Sequence, residues 1–118
     1  PVLIKGDPDR LLQVLGNLLE NAIKNTSQDQ RKILVTFEVL PQIVRMQVAD
    51  NGAGIAPDDL IRIFEPFTAI PTQYSVGGTG IGLFISRMIT EAHGGSLTAR
   101  SEGKAQGATF ILELPRNE

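Results

Sequence analysis

The chain has 118 residues, enough for one compact core and too few for two. Its 42% hydrophobic and 20% charged residues exclude a disordered tail and a coiled coil. Eleven basic against 13 acidic side chains, a net charge of −2, lack the cationic surplus that a phosphate backbone requires, which sets nucleic acid aside as a partner.

The absence of cysteine excludes a disulfide framework, a thiolate metal site and a cysteine nucleophile, and fits a reducing compartment. No apolar run reaches the roughly 18 residues of a membrane span. Residues 1–10 also lack the charged-then-apolar order of a signal peptide. A single module over residues 1–118 is expected, without direct membrane contact, even if a longer parent protein is anchored elsewhere.

The first predicted element is a helix over residues 8–25. Leu11, Leu15, Leu18, Leu19, Ala22 and Ile23 recur at helical spacing, with Asp7 as N-cap and Pro8 at the first helical position. The polar cluster 25–31 ends it. Ile33, Val35, Phe37 and Val39 then alternate with more polar neighbours, as do Val44, Met46 and Val48, which predicts a β-hairpin with one buried face. Residues 50–57 read as a turn-rich loop and 58–64 as a short helix capped by Asp58. Residues 65–79 carry no periodic signal and are expected to form a lid, since so long a loop in a compact domain is usually functional or disordered. A helix over 81–92 follows, stopped by His93-Gly94-Gly95, with His93 in a capping role. Strands over 96–101 and 108–114 close the chain around a glycine-rich turn.

Three places carry candidate chemistry. On the first helix Arg10, Gln13, Asn17, Asn21 and Lys24 share one stripe. Two poor helix formers at i and i+4 weaken a helix, and an amide oxygen suits a hard cation as a nearby lysine suits phosphate; a merely solvated face is the alternative. Asp50 has the parity of Val44, Met46 and Val48 and points inward where its strand ends. A buried carboxylate needs donors. Adenine's exocyclic amine is one, whereas guanine presents a carbonyl oxygen at the corresponding place; alternatively Asp50 caps its own Asp-Asn-Gly turn. Finally, Gly77-Gly78-Thr79-Gly80-Ile81-Gly82 opens a helix, whose free N–H groups favour phosphate, or else it is a hinge for the lid. No serine triad and no cluster with metal-ligand spacing is present.

Taken in order, GDPDRLLQVLGNLLENAIKNT, DNGAGIAP, IFEPF, GGTGIGLFISRMITEAHGGSLTARSEG and GATFILELP resemble the catalytic ATP-binding domain of sensor histidine kinases. That family shares its wider ATP-binding fold with Hsp90, type II topoisomerase ATPase subunits and MutL. The resemblance covers nearly the whole chain. It implies an α/β sandwich of two layers, a mixed sheet with three main helices on one face (the Bergerat-type fold). ATP would lie between the helix layer and the lid. It makes Asn17 and Asn21 the asparagine box, with Asn21 on Mg²⁺ and Lys24 at the phosphates. Asp50 becomes the adenine-binding aspartate of the first glycine box, with Gly52 and Gly54 letting the chain pass close to the base. Phe64 and Phe67 match the phenylalanine box, and Gly78, Gly80 and Gly82 the second glycine box. Ile55, Thr79, Ile81, Leu83 and Thr109 complete the implied nucleotide-contacting set.

The implied chemistry is γ-phosphoryl transfer from MgATP to a histidine on a separate dimerisation domain, with a response regulator downstream in a cytoplasmic two-component system. The domain alone is then a monomer that binds ATP without autophosphorylating. Hydrolytic relatives carry a general-base glutamate where this chain has Asn17, and an amide cannot accept that proton; Glu20 nearby keeps a hydrolase as an alternative. A non-catalytic nucleotide-binding module is the other, because residues 68–73 lack the Arg or Lys that many histidine kinases carry there.

Overall fold

The computed structural model describes residues 2–75 and 77–117. The first helix, α1 (Pro8–Lys24), starts where the sequence dictates: the Asp7 carboxylate accepts hydrogen bonds from the Asp9 and Arg10 N–H groups, at 3.0 and 3.4 Å. Val14, Leu18 and Ala22, one per turn, form its buried ridge. Each of the larger two contributes about 1.5–3 kcal/mol of burial. The strands β1 (Ile33–Val39) and β2 (Ile43–Asp50) form the expected hairpin. A single helical turn, α2 (Asp59–Arg62), precedes the lid, and α3 (Gly82–Ala92) follows it. Strands β3 (Ser96–Arg100) and β4 (Ala108–Pro115) complete a four-stranded sheet of order β1-β2-β4-β3.

Four expectations change. The sheet is antiparallel at every pairing among the described residues, not mixed. Both hairpins have short turns that force antiparallel pairing, and the one long crossover joins β2 to β3, which are not neighbours. The helix layer consists of two long helices and one turn. Asp58 does not cap that turn: its backbone is already helical (φ −67°, ψ −24°), and the N–H groups of Asp59 and Leu60 bond the Ala56 carbonyl instead. Finally, β1 shares the face of Val44, Met46 and Val48, yet Phe37 and Val39 stay 66% and 55% exposed. Helix α1 packs over β2 and α3 over β3 and β4, so the edge strand projects beyond the helix layer.

The core lies between the sheet and the two long helices, around Phe110, Leu97, Leu18, Val14 and Val48. Where α1 and α3 meet, α3 buries small polar residues, Ser86 and Thr90, which permits close approach. His93 caps α3 as expected, and it does more. Its Nδ1 lies 2.8 Å from the Ile89 carbonyl and its Nε2 accepts the Asp7 N–H at 3.0 Å, which puts the ring proton on Nδ1 and ties the end of α3 to the start of α1.

Candidate functional site

A cavity of about 650 Å³ opens between α1, the loop after β2, the lid and the start of α3. Its size suits a nucleotide-sized ligand.

At one end stands Asp50, the last residue of β2, half-buried with the inward parity of its strand. Its Oδ1 accepts the N–H groups of Gly52 at 2.9 Å and Ala108 at 3.3 Å. Burial pushes this carboxyl above its ordinary value, and the two N–H groups partly oppose the shift. The carboxylate therefore does cap its own turn. Both contacts fall on Oδ1, however, so capping does not use the second oxygen. The loop beyond it is held from two sides. Ala53 N–H donates to the Asn25 carbonyl at 2.8 Å. The Ser101 hydroxyl accepts the Ile55 N–H at 3.0 Å and donates to the Gly107 carbonyl at 2.7 Å.

The long wall is the polar stripe of α1. Asn17, Asn21 and Lys24 all line the cavity, joined by Glu20 and Asn25. Lys24 sits 3.2 Å from the Glu20 carboxylate, and its ammonium is 3.7 Å from where a side chain on Gly78 would begin. The Asn17 amide is oriented by α3: its Nδ2 donates to the Gly82 carbonyl at 3.3 Å and the Ser86 hydroxyl at 3.0 Å. A carbonyl only accepts, so nitrogen must face α3.

The remaining wall is the glycine loop and the start of α3, where Gly78, Thr79, Gly80, Ile81, Gly82 and Leu83 line the cavity. Gly54 and Ile55 line it from the loop after β2. The lid covers it from Thr68 to Ser75; position 76 lies outside the described residues.

Four expected contacts fall outside the cavity lining. Gly52 presses its backbone against the Asn25 carbonyl, which positions the loop rather than a ligand. Phe64 is a core residue, edge-on to Phe110 at 6.2 Å and 77°, with the Arg87 guanidinium 4.9 Å above its ring. Phe67 is 80% exposed at φ 62°, and its N–H donates to the Gly80 carbonyl at 2.9 Å, pinning the lid's first residues to the glycine loop. Thr109 is on the face of β4 opposite the helices, because the buried set there is Ala108, Phe110, Leu112 and Leu114. Ala108 and Phe110 line the cavity in its place, and strand alternation alone could have found them. Asn25 and Lys104 also line it. Lys104 arrives through the hydrogen bond from Ala105 N–H to the Ala53 carbonyl, 2.6 Å, a packing of two loops that no sequence period encodes.

Among the described residues no three His, Cys, Asp or Glu side chains gather as metal ligands. The hard oxygen donors lining the cavity beside Lys24 are the Asn17, Asn21 and Asn25 amides and the ion-paired Glu20 carboxylate, which suit a divalent cation that also takes phosphate oxygens.

The described helices include none long and apolar enough to cross a membrane. Residues 6–118 match the family model described as "Histidine kinase-, DNA gyrase B-, and HSP90-like ATPase". The chain is similar to sensor protein SrrB of Staphylococcus aureus, 40% identical over 114 residues, covering 95% of this chain and 19% of that one. The chain thus spans about one fifth of the curated relatives it matches. Among solved structures it resembles the catalytic domain of histidine kinase ThkA in a nucleotide-free form. The TM-score is 0.80 at 36% identity, covering 95% of this chain and 71% of that one. It also resembles full-length ShkA in complex with AMPPNP, with TM-score 0.81 and 37% identity, covering 98% and 23%. By its ordered motifs, its sandwich of helices on an antiparallel sheet and its match over residues 6–118, the chain belongs to the family of histidine kinase-, DNA gyrase B- and HSP90-like ATPases.

Proposed function

We propose that this domain binds MgATP and positions it for γ-phosphoryl transfer to a histidine on a separate dimerisation domain of a two-component sensor kinase, with a response regulator as the later acceptor. The observation that carries the reading is one cavity with Asp50 at one end and the Asn21, Lys24 and glycine-loop group along its walls. Asp50 would accept the adenine amine on Oδ2. The N–H groups at the start of α3 and the Lys24 ammonium would hold the phosphate tail, neutralising charge as it shifts during transfer. The Asn21 side-chain amide oxygen would hold Mg²⁺, which would supply charge neutralisation for the phosphate tail when bound. The parent kinase would present this domain in the cytoplasm.

Transfer to a protein acceptor is favoured over hydrolysis by the two candidate bases for water. The Asn17 nitrogen is engaged by α3, and an amide oxygen takes no proton in any case. Glu20 is exposed and ion-paired with Lys24.

The test joins this domain to the histidine-bearing domain of its parent and supplies radiolabelled MgATP. An acid-labile, alkali-stable phosphoprotein is the expected result. Steady phosphate release that Glu20→Gln abolishes, without any phosphoprotein, would move the chain to the hydrolases.

A further inference from the structure

The lid and α1 meet at a small hydrogen-bond relay that nucleotide binding by itself does not call for. Thr72 stands at the base of a closed turn in the lid: its N–H donates to the Ser75 carbonyl at 2.7 Å, and its hydroxyl accepts the Tyr74 N–H at 3.2 Å. The same hydroxyl lies 3.3 Å from Oδ1 of Asn25, the residue that ends α1. Nδ2 of Asn25 donates to the Asn21 carbonyl at 2.9 Å and to the Asn21 side-chain Oδ1 at 3.3 Å. The backbone carbonyl of Asn21 can only accept, so the Asn25 nitrogen must face it and the Asn25 oxygen must face the lid. Thr72 is then the donor. Among the described residues this is the one side-chain hydrogen bond between the lid and α1.

We infer that Asn25 and Thr72 are positioning residues that couple the lid to the metal-facing amide, resting on the reading of Asn21 given under Proposed function. Asn25 fixes which way the Asn21 amide points and occupies one lone pair of its oxygen, leaving the other for the cation. Partners of this kind, one bond removed from the metal, orient its ligands and tune affinity. Because Thr72 holds the far side of Asn25, lid position and amide orientation are linked. By reciprocity a cation bound at Asn21 then favours the lid position in which Thr72 reaches Asn25. The Asn25 backbone is itself fixed by Ala53 N–H on its carbonyl, so it is the side chain that responds.

The readout is the Mg²⁺ enhancement of AMPPNP affinity, the ratio of dissociation constants without and with Mg²⁺, measured by calorimetry on the 118-residue chain. Adenosine affinity, followed by NMR titration, reports the Asp50 end separately. Thr72→Val is expected to lower the enhancement about three- to tenfold, the worth of one net hydrogen bond, with adenosine affinity unchanged. Thr72→Ser restores the hydroxyl and the enhancement. Asn25→Ala lowers it at least as far, and adding Thr72→Val to Asn25→Ala lowers it no further. An unchanged enhancement in Thr72→Val overturns the coupling, including the case in which Asn25→Ala alone has an effect, which marks Asn25 as acting on Asn21 without the lid. Wild-type protein that binds neither adenosine nor AMPPNP would overturn the functional reading and this inference together. Normal binding with an unaffected Thr72→Val overturns the inference alone.

Discussion

Asp50→Asn is expected to weaken adenine-nucleotide binding roughly 10- to 100-fold while leaving the unliganded protein no less stable near neutral pH. The loss follows from the proposed contact. A carboxylate oxygen accepting the adenine amine is replaced by a side chain that can place N–H₂ against N–H₂. The same exchange lowers discrimination against guanine, whose carbonyl oxygen an amide can meet as donor. The stability expectation follows from burial. Desolvation raises the carboxyl above its ordinary 3.8, so folding favours its protonated form. Stability from this group is therefore fully present below its unfolded pKa and lost as pH rises through the raised folded value. Asn resembles the protonated form and keeps an oxygen for the Gly52 and Ala108 N–H groups. The melting temperature of the variant should accordingly match or exceed wild type near neutral pH, the difference closing as pH falls through the carboxyl's titration. Calorimetry with ADP and melting curves across that range check both halves. Equal ADP affinity in the variant would remove Asp50 from the site.

Gly80→Ala is expected to reduce Mg-AMPPNP affinity by more than tenfold while sparing adenosine. Gly80 has φ +71°, where an alanine costs about 1–2 kcal/mol. Its Cβ would also stand 2.5 Å from the Thr68 nitrogen and 2.7 Å from the Phe67 carbonyl carbon, both backbone atoms that cannot swing aside. Relief requires the Phe67–Thr68 segment to leave the glycine loop, breaking the 2.9 Å bond from Phe67 N–H to the Gly80 carbonyl. The N–H groups at the start of α3 then lose their fixed arrangement. Unchanged Mg-AMPPNP affinity would show that this loop does not hold the phosphates.

Much of this architecture was legible in the sequence, for reasons particular to each element. Asp7, Pro8 and the helical spacing that includes Leu18 and Ala22 each respond to local geometry, so the start and length of α1 could be read directly, while Ile23, read on the same apolar face, is 46% exposed. Asp50 was legible because alternation carries its strand's inward parity to its last residue. Parity would also have separated Thr109, carried over by resemblance and lying on the face of β4 opposite the helices, from Ala108 and Phe110, which line the cavity. The exposure of Phe37 and Val39 was not legible, since period-2 alternation reports which face a side chain is on and not whether a helix covers that face. The antiparallel sheet depends on which strands become neighbours, a tertiary outcome. Thr72 meets Asn25 through a side-chain hydrogen bond from the lid to the end of α1, and Lys104 arrives through a backbone bond between Ala105 and Ala53; such contacts leave no periodic trace in a sequence.

The most direct test of the account is a calorimetric and thermal-shift comparison of ADP, AMPPNP and GDP, each with and without Mg²⁺, on the 118-residue chain. A ligand that binds only the folded state must raise its melting temperature. Stabilisation by ADP and AMPPNP but not GDP, stronger for AMPPNP when Mg²⁺ is present, is the expected result. Equal stabilisation by GDP, or none by any of the three, would contradict the claim that this cavity is an adenine-nucleotide site.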